Sequence, residues 1–191
     1  MLLSGNCYIP WLPSLFLTLF ISTGSCHITC RNRYGTAVDW FIAYKLPKIS
    51  YGTPVTGSSL FYLDQNSASS WGPLEDINVT ESAVTQTLQQ YYKALNDPDI
   101  FYILYNDEHP DGGKTDFVRG HAKGVLVFDN LAGFLLIHSV PKFPSATKYV
   151  YPLSALRNGQ TFLCITLSTK SLSAVATQLY FIQPSIYKSP L

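Results

Sequence analysis

Charge is scarce in this 191-residue sequence: 13% of residues are Asp, Glu, Lys or Arg, 13 basic against 12 acidic, and none precedes Arg31. That near-balance excludes a broad electrostatic field for holding a polyanion, so any affinity for nucleic acid has to be local. The four histidines add positive charge as pH falls through roughly 6.5, and carboxylates begin to neutralise below about 5, so an acidic compartment makes the surface basic. No Cys-x-x-Cys or clustered Cys/His spacing points to zinc. No Gly-x-Ser-x-Gly elbow supports serine catalysis, and no glycine-rich loop ending in Lys-Ser/Thr supports phosphate cradling. Internal repeats are absent too. With 47% hydrophobic residues the chain is too apolar for disorder and long enough for one domain with a sizeable core.

No apolar run is long enough for a comfortable membrane span. The longest runs from Trp11 to Ile21 and is followed by the small residues Ser22, Thr23, Gly24 and Ser25. It reads as a secretory signal peptide over 1–26, cleaved near Ser25 or Cys26; an uncleaved anchor is the alternative, since a basic n-region is missing. No membrane contact is expected after cleavage. Cys7 and Cys26 then fall in or at the edge of the signal, leaving Cys30 and Cys164 to form a disulfide in an oxidising compartment. Such a bridge closes a large loop, worth roughly 4 to 5 kcal/mol in the chain-entropy model. Asn78-Val79-Thr80 is the sole Asn-x-Ser/Thr sequon and marks Asn78 for a glycan.

Val38 to Leu46 alternates with a period of two and ends at Pro47, which predicts a strand; both faces are partly apolar, so it should be internal. Leu60–Leu63, Phe101–Tyr105, Gly124–Phe128, Phe134–His138 and Thr161–Leu167 read as further strands, the third and fourth joined as a hairpin through residues 129–133. From Thr80 to Leu95, Val84, Leu88, Tyr91, Tyr92 and Leu95 recur at helical spacing, with Asn78 or Thr80 as cap and Asn96-Asp97-Pro98 as stop. Ser171 to Tyr180 predicts a second amphipathic helix with Leu172, Val175 and Leu179 on one face. The fold class is therefore α+β, a mixed α/β sandwich. Residues 185–191 show no periodic element, and the chain reads as truncated.

The chemistry concentrates in Arg119-Gly120-His121-Ala122-Lys123-Gly124. On extended backbone His121 and Lys123 project to one side and can reach one phosphate. A neutral imidazole can attack phosphorus, and an ammonium offsets charge on the non-bridging oxygens. Gly120 and Gly124 would admit a bulky phosphodiester close to the backbone, and Arg119 on the same face could hold a neighbouring phosphate. His-x-Lys alone is a weak signal, compatible with a solvated loop–strand junction. His109 reads as a surface residue, His138 as a structural one, and Asp129 receives no catalytic role.

Several ordered motifs sharpen this. Cys30-Arg31-Asn32, Ala37-Val38-Asp39-Trp40-Phe41, Tyr44-Lys45-Leu46-Pro47, Leu88-Gln89-Gln90-Tyr91-Tyr92, Leu104-Tyr105-Asn106-Asp107, the His121-x-Lys123 segment, Ile137-His138-Ser139-Val140-Pro141-Lys142-Phe143-Pro144, Asn158-Gly159-Gln160 and Leu163-Cys164-Ile165 together resemble the deoxyribonuclease II family, most closely its beta form. That family is similar to the phospholipase D superfamily, in which two His/Lys halves meet across a pseudo-twofold interface. The resemblance implies half of such a pseudo-dimeric fold: residues 27–191 as the N-terminal half, the C-terminal half absent. It implies an acid endodeoxyribonuclease with a DNA substrate, a phosphohistidine, 3′-phosphate products and no metal or cofactor. It places the protein in the lysosome or outside the cell. His121 and Lys123 become catalytic, in a nucleophile or acid role that the sequence leaves open; Arg119 and Asn106 become substrate contacts, with a turn-forming role for Asn106 as the alternative.

Ala122 stands where relatives often carry Thr. More seriously, no second His-x-Lys occurs: the residues two after His27, His109 and His138 are Thr29, Asp111 and Val140. A weakly active or inactive form is expected, with a homodimer as a route to a second His/Lys pair. Two other functions compete, a secreted non-catalytic DNA-binding or regulatory half-domain and a phosphodiesterase acting on lipid.

Overall fold

A computed structural model of the chain describes residues 27–51, 55–67 and 69–190. The signal segment over 1–26, with Cys7 and Cys26, lies outside the described residues. Two short antiparallel strands, β1 (Cys30–Arg31) and β2 (Ala37–Val38), come first. The strand expected from Val38 onward breaks at Asp39, where Thr166 takes the carbonyls of both Val38 and Asp39. It restarts as β3 (Trp40–Lys45).

Seven more strands complete a single sheet: β4 (Ser59–Asp64), β5 (Glu75–Asp76), β6 (Phe101–Asn106), β7 (Lys123–Phe128), β8 (Ala132–His138), β9 (Gln160–Ser168) and β10 (Ile186–Lys188). Their order is β10-β6-β7-β8-β9-β3-β4-β5, with every neighbouring pair antiparallel. With two helices this is an α+β fold, and β3 is internal as its two apolar faces require. β10 corrects the expectation that residues 185–191 add no element. Three residues are too few for periodicity to register, and the strand exists because the exposed edge of β6 offers it a ladder.

Period-two alternation sends Phe41, Ala43, Leu60, Leu104, Val125, Val127, Phe134, Leu136 and Phe162 to one face of the sheet, where they form the main core. Helix α1 (Ala83–Lys93) covers it, burying Val84, Leu88 and Tyr91 at helical spacing. Its cap is Ser82, whose hydroxyl accepts from the Thr85 N–H at 3.1 Å, rather than Asn78 or Thr80. Glu75 Oε2 accepts a second free N–H, that of Ala83 at 2.9 Å, so β5 and the helix start are tied together. The disulfide between Cys30 and Cys164, both fully buried, fastens β1 to β9 beneath this helix. Lys45 also points into the core. Its ammonium donates to the carbonyls of Ala155, Leu156 and Asn158, which holds the 145–158 loop down on the sheet.

Among the described residues, the opposite face is covered only at one end. Helix α2 (Leu172–Ile182) lays Leu172, Val175 and Leu179 over Tyr105, Leu126 and Phe128, as the predicted stripe requires. Its C-cap, Gln183, takes the left-handed conformation and turns the chain into β10. No helix among the described residues is long and apolar enough to cross a membrane.

Candidate active site

β6 and β7 run antiparallel with Asn106 opposite Lys123 as their last pair. Just beyond it, Asp107 and His121 leave the sheet at the same end, and the Asp107 carboxylate becomes the meeting point. Oδ1 accepts from the Lys123 ammonium and Oδ2 from His121 Nδ1 at 2.8 Å. An ionised carboxylate can only accept, so Nδ1 carries the proton and Nε2 is the nitrogen left for chemistry. Burial pushes the Asp107 carboxyl up, but hydrogen bonds from Lys123 and His121, and their charges, outweigh it and hold the group below the usual 3.8. Asp107 therefore stays ionised through mild acid.

The three side chains are unequally accessible. Lys123 and Asp107 are buried, at 5% and 9% side-chain exposure, whereas His121 is 85% exposed. Two-residue spacing does bring His121 and Lys123 together. The expectation that Lys123 faces a phosphate needs correction, because its ammonium is turned inward onto Asp107. Sequence reasoning missed Asp107 itself. The one available signal was an acid ending the strand that pairs with the His-x-Lys strand, and that is readable only once the register is known.

Other expected site residues are placed differently. Asn106 is fully buried; its amide donates to the carbonyls of Val140 and Phe143, at 3.0 and 2.9 Å, and its Oδ1 accepts from the Glu108 N–H. It cannot touch a substrate in this arrangement. It instead fastens the 140–143 loop beside the cluster and shapes the turn carrying Asp107. Arg119 is exposed and is one of the residues lining an apolar cavity under α2. The space expected beside the two glycines is already filled. A Cβ at Gly120 would strike the Ile182 carbonyl, and one at Gly124 the Tyr105 ring, so both glycines serve packing against the protein itself.

The remaining polar candidates have structural partners. His109 Nε2 lies 2.9 Å from Ser185 Oγ, which donates to Asp116, so this chain of bonds anchors the entry to β10. His138 is buried against Phe143 and Phe162, with Nδ1 accepting from the Val140 N–H. Burial, then the charge of Lys123, pushes its pKa down to about 3, which keeps it neutral. Asp129 holds the β7–β8 turn and the Ile28 N–H, and Asn78 sits exposed in the turn before α1. Among the described residues, no group of three or more His, Cys, Asp or Glu side chains could hold a metal ion.

Comparison with known proteins places this geometry in context. The sequence profile described as deoxyribonuclease II matches residues 29–191. The chain is 45% identical over 177 residues to deoxyribonuclease-2-beta of Mus musculus, covering 91% of this chain and 49% of the relative. It is 40% identical over 179 residues to the Homo sapiens deoxyribonuclease-2-beta, with the same two coverages of 91% and 49%. It is 36% identical over 207 residues to deoxyribonuclease-2 of Caenorhabditis elegans, covering 93% of this chain and 55% of the relative. The chain thus spans about half the length of the curated relatives it matches.

Proposed function

Because the chain belongs to the deoxyribonuclease II family, we propose that Asp107, His121 and Lys123 form one half of a hydrolytic site for DNA phosphodiesters, and that the whole protein is an acid endodeoxyribonuclease. The observation that carries this is an exposed imidazole whose Nδ1 is held by a buried, ionised carboxylate. That arrangement presents Nε2 outward in one tautomer, as a nucleophile or a proton carrier requires. Lys123 acts behind it, balancing Asp107 so that the carboxylate survives acid. Arg119, two residues before His121 in sequence, suits a neighbouring phosphate better than the scissile one.

In the reaction, one histidine forms a bond to phosphorus through Nε2 as the 5′ oxygen leaves, and a second histidine gives that oxygen a proton. Water then attacks phosphorus, losing its proton to the second histidine; the P–N bond breaks and a 3′-phosphate end is released. His121 fits either role. This half supplies one pair, and a homodimer is one route to a second. Residues 1–26 direct the chain into the secretory pathway, Asn78 carries a glycan, and the protein works in the lysosome or outside the cell. Asp107 remains charged there and holds the imidazole.

Purified secreted chain assayed on plasmid DNA near pH 5 with a chelator present tests the reading. Weak cleavage that leaves 3′-phosphate ends and disappears in His121→Ala is expected. Cleavage that survives His121→Ala, or that the chelator abolishes, removes this site or its chemistry from consideration.

A further inference from the structure

The His121 side chain makes one hydrogen bond among the described residues, from Nδ1 to Asp107 Oδ2. The imidazole is therefore only as well placed as Asp107, which lies one residue past the end of β6, where no sheet ladder holds it. Bonds on either side hold it instead. Asn106 Oδ1 accepts from the Glu108 N–H at 2.9 Å, an Asx turn that spans Asp107, and the Asp107 carbonyl accepts from the Asp116 N–H. Both amide hydrogens of Asn106 are used as well, on the carbonyls of Val140 and Phe143. These two bonds bracket Lys142, whose φ of +57° is one that residues with a Cβ seldom adopt and that persists only where the surroundings impose it. In that conformation Lys142 sends its N–H to the Glu108 carbonyl at 3.0 Å. The Val140 N–H donates onward to His138 Nδ1, which ties the loop to β8. One fully buried side chain thus pins the Asp107 turn twice, directly and through the strained 140–143 loop.

We propose that Asn106 is a positioning residue of the site, acting through Asp107 to keep the His121 imidazole in the Nδ1–H tautomer with Nε2 outward. The proposal deepens the reading above and rests on it only for the consequence in catalysis. The surroundings of the side chain select an amide. Two carbonyls need two donors and the Glu108 N–H needs an acceptor, and among side chains of this length asparagine alone supplies all three. Aspartate would set an anion against two carbonyl oxygens, and leucine would leave three buried polar groups unpartnered. None of the three bonds involves a titrating group, so the frame around Asp107 survives the acid in which the site is proposed to work.

Nitrogen-15 NMR of the imidazoles in the purified secreted chain, with the His121 signals identified by their loss in His121→Ala, tests this. Neutral His121 in the parent should be the Nδ1–H form; the Nε2–H form there overturns the proposal whatever the variants do. Asn106→Ala removes all three bonds and should give a mixture of tautomers, with kcat on DNA falling roughly 10²-fold and KM changing by less than about threefold. Asn106→Ser restores an acceptor for the Glu108 N–H but neither donor, so tautomer and kcat should recover part of the way while the melting temperature stays lowered. If Asn106→Ala does not fold, the serine variant and the parent tautomer decide. A role in folding alone gives lowered melting with the tautomer fixed and kcat per folded molecule unchanged, and that result overturns the proposal. So does a raised KM at unchanged kcat, which would make Asn106 a substrate contact. A fixed parent tautomer that Asn106→Ala releases, in a chain without nuclease activity, leaves the positioning role standing and sinks the hydrolytic reading of the site.

Discussion

Replacing Asp107 with Asn isolates the interaction on which the site depends. The side chain keeps its shape but loses its charge, leaving the Lys123 ammonium buried at 5% exposure with no counter-ion. Removing one partner of a buried pair costs about 3 to 5 kcal/mol, a large part of the roughly 5 to 15 kcal/mol that holds a domain folded. Lys123→Met in the same background removes the stranded charge, so the double variant should recover about 2 kcal/mol relative to Asp107→Asn, well outside additivity. Urea denaturation of the four proteins of this cycle measures it. The pH dependence is specific. A carboxyl with a depressed folded pKa contributes stability above its unfolded pKa and loses it as pH falls through the lower folded value. Because Asp107 lies below 3.8, the cost of Asp107→Asn should be equal at pH 7 and pH 5. Additive single variants, or a cost that vanishes by pH 5, would refute the buried, acid-resistant pair. Activity should also fall, by roughly 10²- to 10⁴-fold, since the imidazole loses its orienting acceptor.

Other expectations follow from single groups. Cys30→Ser with Cys164→Ser opens a loop with 134-residue separation and should cost about 5 kcal/mol in the chain-entropy model, read as a lowered urea midpoint. Unchanged stability would show that the bridge constrains nothing. His138, held down to about 3, leaves the unfolded chain binding more protons between that value and about 6.5, so acid destabilises the fold. The loss is about 2 kcal/mol from pH 6.5 to pH 5, and His138→Phe should flatten that slope whatever its effect at pH 7; an undiminished slope would place the titration elsewhere. Gly120→Ala should push the end of α2 off the 119–121 segment and speed amide exchange in β10, and unaltered exchange would mean that the two segments are not coupled.

Which features could be read in advance depends on how far the partners lie apart along the chain. The strands at 60–63, 101–105, 124–128, 134–138 and 161–167 were each legible as a local apolar run bounded by turn residues, and the structure extends them by a residue or two. The α2 stripe was equally local. The cap of α1 was misplaced because Asn78, Thr80 and Ser82 are all competent hydroxyl or amide caps, and the choice fell to Glu75, which fixes Ala83 from a strand eight residues back. β10 could not be seen at all, since it borrows its definition from β6. Of the site, His121 and Lys123 were visible as a local spacing, whereas Asp107 is separated from them by 14 and 16 positions. The two glycines were read as admitting a phosphodiester, whereas the groups that approach them are Ile182 and Tyr105, from elements that the sequence does not place nearby.

The inward turn of Lys123 changes how acid should act on this site. Had the ammonium faced a phosphate directly, its attraction would be the same at every pH below its titration. Facing Asp107 instead, it cancels the carboxylate, and the cluster is neutral while His121 is neutral. Protonation of His121 then adds one positive charge to a cluster whose other charges sum to zero, and that charge sits on the exposed member. In the proposed reaction, an approaching phosphodiester would be attracted by the form of His121 that also supplies a proton donor. The arrangement works only if Asp107 does not titrate first, which is what its hydrogen bonds from Lys123 and His121 secure. A His121→Lys variant separates the two contributions: it keeps the charge at every pH and supplies no usable acid. Its affinity for a short DNA duplex should match or exceed the parent's while cleavage is lost, and an affinity well below the parent's would show that the attraction arises outside this cluster.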